Sequence, residues 1–217
     1  GQIGDTRQLA TGPLVVTIAE FLGSTWLVPR LHDFRATYPD IQLSVLFDDR
    51  IMNLGMREAD CGVRLAKPAQ QDLIQRQLTT LKFQVCASKS YLEKHGTPKN
   101  LNHLKSHLLI AYQELSIPPY EKPNWLLDAA GIKTTDPNVM QMNAMNTIFR
   151  AVENGAGIGL LPEYMIRDGQ NLEVILPQLT RPDVDVYFVY PEERRNSKRI
   201  GAFRDFLIKN LSQNNAL

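Results

Sequence analysis

His103 and His107 stand four residues apart, a spacing that sets two imidazoles on one face of a helix and could hold zinc. The zinc-protease pattern requires glutamate directly after the first histidine, and that place holds Leu104. Surface histidines on a short helix are the better reading. Gly155, Gly157 and Gly159 alternate like part of a phosphate loop. A dinucleotide fingerprint, however, follows a strand and opens a helix. Here the pattern places helix before the glycines and strand after them, so a helix cap and a tight turn explain them. Asp48 and Asp49 are adjacent carboxylates. Neighbours at a strand end point to opposite sides, which does not suit acid–base work on one bond. No GxSxG elbow and no local cysteine-nucleophile signature occurs. Cys61 and Cys86 lie in apolar strand contexts, where free cysteine packs as a small hydrophobe.

Arg194, Arg195, Lys198 and Arg199 form the densest basic cluster and flank a helix start, where the dipole disfavours cations. No recognition-helix pattern accompanies them, so they read as a solvated face. What remains is an arrangement for holding a small anion. Ligands of open α/β sheets bind outside the carboxyl ends of strands, where helix starts present free N–H groups. Ser24 and Thr25 follow the first strand and can cap the next helix. Asn143, Ala144 and Met145 form a second such helix start, and Arg64 ends the third strand. Two helix starts and one guanidinium suit a small carboxylate or similar anion.

The elements that must position these residues are legible from periodicity. Leu14–Ala19 is β-branched and apolar on both faces, as a buried parallel strand is. Leu27, Leu31, Phe34 and Tyr38 step by four, three and four in a helix that Pro39 stops. Ile41, Leu43, Val45 and Phe47 recur at every second position in a second strand. Strand, helix, strand makes a βαβ unit with a right-handed crossover. A weaker helix is expected over Met52–Ala59, and a third strand over Cys61–Leu65. Leu73–Ser88 has strand character over more length than one strand needs, so it could run from one subdomain into another. Beyond it come short helices over Lys89–His95 and Asn100–His107, and strands over Leu108–Tyr112 and Val139–Asn143. An irregular loop holds Pro118, Pro119 and Pro123. The helix Met145–Asn154 ends at Gly155, and strands follow over Ile158–Leu161, Leu172–Leu176 and Val184–Tyr190. Ser197 caps a last helix with Ile200, Phe203, Leu207 and Leu211 at helical spacing.

The whole chain bounds the function. Its 217 residues are 43% hydrophobic and 22% charged, which excludes disorder as the main state. Lys+Arg 24 against Asp+Glu 23 leaves +1, so charge alone calls for neither nucleic acid nor an acidic membrane. Two cysteines cannot frame a disulfide-built module. The apolar runs Leu14–Ala19 and Gly155–Pro162 are far short of the ~20 residues that cross a bilayer. No export signal opens the chain, so a cytoplasmic location is expected.

Five segments in order carry a resemblance: GPLVVTIAEFLGSTWLVPRLHDFRATYPDIQLSV, ADCGVRLA, LTTLKFQVCASKSYLEKHGTPKNLNHLKSHLLI, NAMNTIFRAVENGAGIGLLPEYM and VYPEERRNSKRIGAFRDFL. Across them, from about Gly12 to about Leu207, the chain resembles the effector-binding (co-inducer) domain of LysR-type transcriptional regulators. The resemblance implies an α/β fold of two Rossmann-like subdomains joined by two crossover strands, of the periplasmic-binding-protein type 2 kind. It implies a linker remnant over residues 1–12, subdomain I over 13–85 plus 189–217, and subdomain II over 86–188. The inducer of the family sits between the subdomains. By position its contacts carry over to Ser24, Thr25, Asp48 and Arg64, and to Asn143, Ala144 and Met145. The function so implied is ligand sensing, not catalysis. A small anionic or polar effector would modulate DNA binding and transcription by a homodimeric or tetrameric regulator, with no cofactor or metal. DNA would be met only through an N-terminal winged helix-turn-helix outside this chain, and no membrane is involved. The alternative is a stand-alone solute-binding protein of a transport system, which uses the same two-lobed physics.

Overall fold

The computed structural model describes residues 10–48, 59–69, 71–213 and 217. The expected helix Met52–Ala59 lies, but for its last residue, outside them, as do Asp49 and most of the expected linker. In chain order the elements are β1 (Gly12–Ile18), α1 (residues 20–37), β2 (Ile41–Phe47), β3 (Cys61–Arg64), β4 (Leu73–Leu81) and β5 (Phe83–Ala87). Next come α2 (Lys89–His95), β6 (Leu109–Tyr112), α3 (Trp125–Ala130), β7 (Val139–Met142) and α4 (Met145–Glu153). The last are β8 (Gly159–Pro162), β9 (Glu173–Val174), β10 (Val184–Pro191) and α5 (Lys198–Leu211). They form two compact units. The first draws on the described residues of Gly1–Thr80 and Asp185–Leu217, the second on Leu81–Val184.

The first unit is built on a five-stranded sheet in the order β2-β1-β3-β10-β4. β1 runs parallel to both β2 and β3, with Val16 opposite Val45 and Cys61. β10 runs antiparallel to β3 and places Val189 opposite Gly62 and Tyr187 opposite Arg64. Alternation puts Leu14, Val16 and Ile18 on one face. The aromatic core holds Phe34 of α1, Phe188 of β10 and Phe203 of α5, all fully buried. Ser197 caps α5 as expected, its Oγ accepting from the Ile200 N–H at 3.3 Å. On the opposite face Val15, Thr17, Gly62, Arg64, Tyr187 and Val189 lie side by side in register.

α1 corrects the expected capping. The helix begins at Glu20, directly after β1, with Ala19 as its N-cap and no side-chain cap bond. Ser24 and Thr25 therefore sit in the second turn, and Thr25 Oγ1 donates back to the Phe21 carbonyl. Residues Gly23–Leu27 form a π segment and Val28–Arg30 a 3-10 turn. Pro29 is the cause: it lacks the N–H that would close an α-helical bond to Thr25, so the ladder widens ahead of it. Val28 N–H bonds to Gly23 O, five residues back. The Arg30 guanidinium donates to Trp26 O at 2.7 Å and stacks over the Trp26 ring at 4.6 Å. Gly23 is required by contact, because a Cβ there would lie 2.5 Å from Phe47 Cε1 and 2.7 Å from Ile18 Cγ2.

The second unit has a sheet β8-β5-β9 and a pair β6-β7, linked by a bridge from Leu109 to Ile158. The long expected strand over 73–88 is β4 and β5, interrupted at Lys82. Only Glu173–Val174 of the expected strand Leu172–Leu176 pairs. The proline-rich loop leads into α3, which periodicity alone did not reveal. Before it, the Asn124 amide accepts from Tyr112 N–H at 2.8 Å and donates to Tyr112 O at 2.9 Å, pairing with β6 as a strand residue would. Gly155 holds φ +86° after α4, and a Cβ at Gly157 would meet Leu108 O at 2.7 Å. The helix cap at Gly155 is as expected, whereas at Gly157 a close backbone approach stands where a tight turn was expected.

Candidate functional site

Arg64 carries a guanidinium into a sheet lined mostly by apolar groups. As the last residue of β3 it faces Tyr187 across the ladder, and it is 6% exposed. Nη1 donates to the Val63 carbonyl at 3.2 Å, whereas Nη2 is buried without a hydrogen-bond partner. Thr17 lies opposite Gly62 in β1, is fully buried, and its Oγ1 is likewise unpartnered. The two groups converge on one spot: a Cβ on Gly62 would lie 2.6 Å from Thr17 Oγ1 and 2.8 Å from Arg64 Nη1. Burial lowers the Arg64 pKa, and the negative charge of Asp48 opposes that shift. Arginine keeps its proton in proteins, so a cation with an uncommitted N–H stands beside an uncommitted hydroxyl. Each orphaned buried group costs about 1–3 kcal/mol, which an acceptor placed between them would relieve.

The other expected residues fall into three groups. Asp48 extends the β2 ladder, its N–H donating to Ile18 O at 3.0 Å, and its charge acts on Arg64. Ser24 and Thr25 lie within α1, where Ser24 is exposed and Thr25 half-buried, so neither hydroxyl caps the helix start. The free amides of that start belong to the turn from Glu20, whose own carboxylate already lies at the positive end of the dipole. Asn143, Ala144 and Met145 belong to the second unit. There Ala144 is the N-cap of α4 in extended conformation, with no side-chain cap bond. Asn143 precedes it exposed, while Met145 is buried and lines a small apolar cavity with Ile110, Ile148 and Leu160. Thr17 escaped the sequence reading. Its signal was a lone hydroxyl in a strand apolar on both faces.

Three other readings are decided by burial. His107 is not a surface histidine: it is 9% exposed, and its Nδ1 lies 2.8 Å from the Tyr91 hydroxyl. That hydroxyl also accepts from Leu108 N–H at 3.1 Å, so Tyr91 joins His107 to the backbone just before β6. Burial, followed by the positive fields of His95 and His103, lowers the His107 pKa below the ordinary histidine value. A base so depressed binds its proton in the unfolded chain before the folded one. Stability is therefore complete above an unfolded pKa of about 6.5 and falls as pH drops through the folded value. The urea midpoint is expected to fall between pH 7.5 and pH 5.5. In His107→Asn, which keeps an acceptor for Tyr91, the fall should be smaller; an unchanged pH slope would assign it elsewhere.

No group of His, Cys, Asp and Glu among the described residues is arranged to hold a metal ion. Cys61 and Cys86 are buried free thiols, and burial pushes the Cys86 pKa up to about 12 and that of Cys61 higher still. Thiolate is the reactive form, so both behave as the small hydrophobes expected. The basic cluster is only partly a solvated face. Arg194 pairs with Asp60, whose other oxygen accepts from Val15 N–H at 2.8 Å, and Arg199 donates to Thr11 O at 2.9 Å. Arg194 thus ties the segment after β10 to the residue before β3, and Arg199 ties the first turn of α5 to the residue before β1.

Comparison with known proteins supplies the frame for this geometry. The LysR substrate binding domain family matches residues 7–212. An HTH-type transcriptional regulator of Xanthomonas campestris pv. campestris is 31% identical over 214 residues, covering 94% of this chain and 62% of that protein. The HTH-type transcriptional regulator CrgA of Neisseria meningitidis is 27% identical over 193 residues, covering 87% of this chain and 63% of CrgA. The chain thus spans less than two thirds of either relative. The solved structure of CrgA superposes with a TM-score of 0.78 at 24% identity, covering 96% of this chain and 73% of CrgA. The virulence activator AphB of Vibrio cholerae gives 0.74 at 22% identity, covering 96% and 71%. At that identity these likenesses speak to fold, and the fold is that of LysR regulatory domains, the periplasmic-binding-protein type 2 architecture expected.

Proposed function

Because the chain belongs to the LysR substrate-binding domain family, we propose that it is the ligand-sensing part of a bacterial transcription regulator that answers a small anionic effector through Arg64. LysR-type regulators bind small effectors and act on DNA, and theirs is a regulator family rather than an enzyme family. The observation that carries the reading is the buried guanidinium with an uncommitted Nη2 at the carboxyl end of β3. Ser24, Thr25 and Asp48 in the first unit and Asn143, Ala144 and Met145 in the second are the further effector contacts in this reading. The whole regulator acts as a homodimer or tetramer in the cytoplasm, where its DNA lies, and meets DNA through a separate winged helix-turn-helix. A transport role draws no support, since both relatives described above are transcriptional regulators. No helix among the described residues is long and apolar enough to cross a membrane.

A ligand changes the state of such a regulator only through unequal affinity for two arrangements. A charge-assisted bond to a buried arginine supplies that inequality when it forms in one arrangement alone. The test is a thermal-shift screen of small acids, amino acids and aromatics, in which a ligand at about 100 times its Kd adds ~2.7 kcal/mol. A hit is expected to raise the melting transition of the wild type and leave Arg64→Ala unmoved. Equal shifts in both proteins would remove Arg64 from the site.

A further inference from the structure

Building on the assignment of Arg64 as effector anchor, we propose that Thr17 and Arg64 form a seat for one carboxylate group within the first unit, and that the effector is a monocarboxylic acid with an apolar body. Both side chains are more than nine-tenths buried, and each has a polar atom without a partner. Nη2 can only donate, and the Thr17 hydroxyl has a hydrogen not committed elsewhere. A group that only accepts, through two oxygens, satisfies both donors at once, as a carboxylate does. A neutral amide or hydroxyl brings hydrogens of its own to the same place and satisfies them less well.

Charge and surroundings narrow the class further. Asp48 acts on the guanidinium already, so each further negative charge on the ligand is less compensated, and a dianion is disfavoured relative to a monoanion. The same face of the sheet is apolar: Val189 and Ala59 form a buried cluster against which Val15, Leu73 and Tyr187 pack. Between the two side chains only glycine fits, since a Cβ on Gly62 would clash with both Thr17 Oγ1 and Arg64 Nη1. Thr17 then acts as the specificity-determining residue and Arg64 as the anchor. Sites built to hydrogen-bond a ligand group discriminate strongly against analogues lacking it.

Calorimetric titration of the 217-residue chain with acetate, benzoate, cyclohexanecarboxylate and succinate at matched ionic strength tests this. At least one monocarboxylate is expected to bind saturably, with succinate weaker by about tenfold or more. Thr17→Val is expected to lose about tenfold in affinity, the worth of one charge-assisted hydrogen bond. Its unliganded melting temperature should hold or rise, because an orphaned hydroxyl has gone. Should Thr17→Val misfold, comparing Thr17→Ser with Thr17→Ala reads the same hydroxyl. No saturable binding of any monocarboxylate, binding by Thr17→Val equal to wild type, or succinate as tight as the monoacids would each overturn the proposal. Wild-type affinity in Thr17→Val with none in Arg64→Ala would sink the seat and leave the anchor standing.

Discussion

Arg181→Ala is expected to destabilise the chain by about 3 kcal/mol, read as a lower urea midpoint with unchanged slope. Arg181 is 8% exposed, and each of its three guanidinium nitrogens donates to a carbonyl of the second unit. Nε donates to Pro182 O at 2.9 Å, Nη1 to Lys122 O at 3.0 Å and Nη2 to Glu121 O at 3.1 Å. Its Cζ also lies 5.1 Å from the Phe83 ring centre and 5.3 Å from that of Tyr120. The loop so held contains three prolines, which supply no N–H, and bends at Lys122 with φ +53°. Without the arginine its inward carbonyls lose their donors. Each hydrogen bond to a charged group contributes about 1.5–3 kcal/mol, and the loop and entering water recover part of the sum. Arg181→Lys should recover less than half, because an ammonium cannot span three carbonyls in a plane. A midpoint moved by under ~0.5 kcal/mol, the range of ordinary surface changes, would contradict this role.

Phe34→Ala is the second large effect, about 3–5 kcal/mol, in the range for emptying an aromatic site in a closed core. Phe34 is fully buried where α1 meets α5. It meets Phe203 at 5.7 Å and Phe206 at 5.2 Å in edge-on geometry, and Tyr38 at 5.2 Å. α1 departs from α-helical bonding over Gly23–Arg30, so packing rather than local propensity holds it. Removing the ring should therefore lower hydrogen-exchange protection in α1 and along β1, besides shifting the denaturation midpoint. Protection unchanged in α1 would show that the helix stands without that contact.

Legibility followed the range of the interactions. The alternation of β2, the buried run of β1 and the spacing of Ile200, Phe203 and Leu207 in α5 are local signals, and the structure keeps them. The start of α1 was misplaced because Ser24 and Thr25 look like caps. The helix instead starts on Ala19, whose side chain gives no signal, and Pro29 distorts the ladder between. Arg64 could be placed from its position at a strand end. Thr17 could not, since threonine in a β-branched run looks like strand filler until Gly62 and Arg64 arrive opposite it. His107 and Arg181 were opaque for the same reason: their partners Tyr91 and Lys122 lie 16 and 59 residues away.

Arg64 as the charged anchor is tested most directly by calorimetry of the acid that the thermal screen selects, titrated into the wild type and into Arg64→Ala. Affinity in the variant is expected to fall about 10–100-fold, the equivalent of about 1.5–3 kcal/mol for one charge-assisted bond. Equal affinity in the two proteins would contradict it.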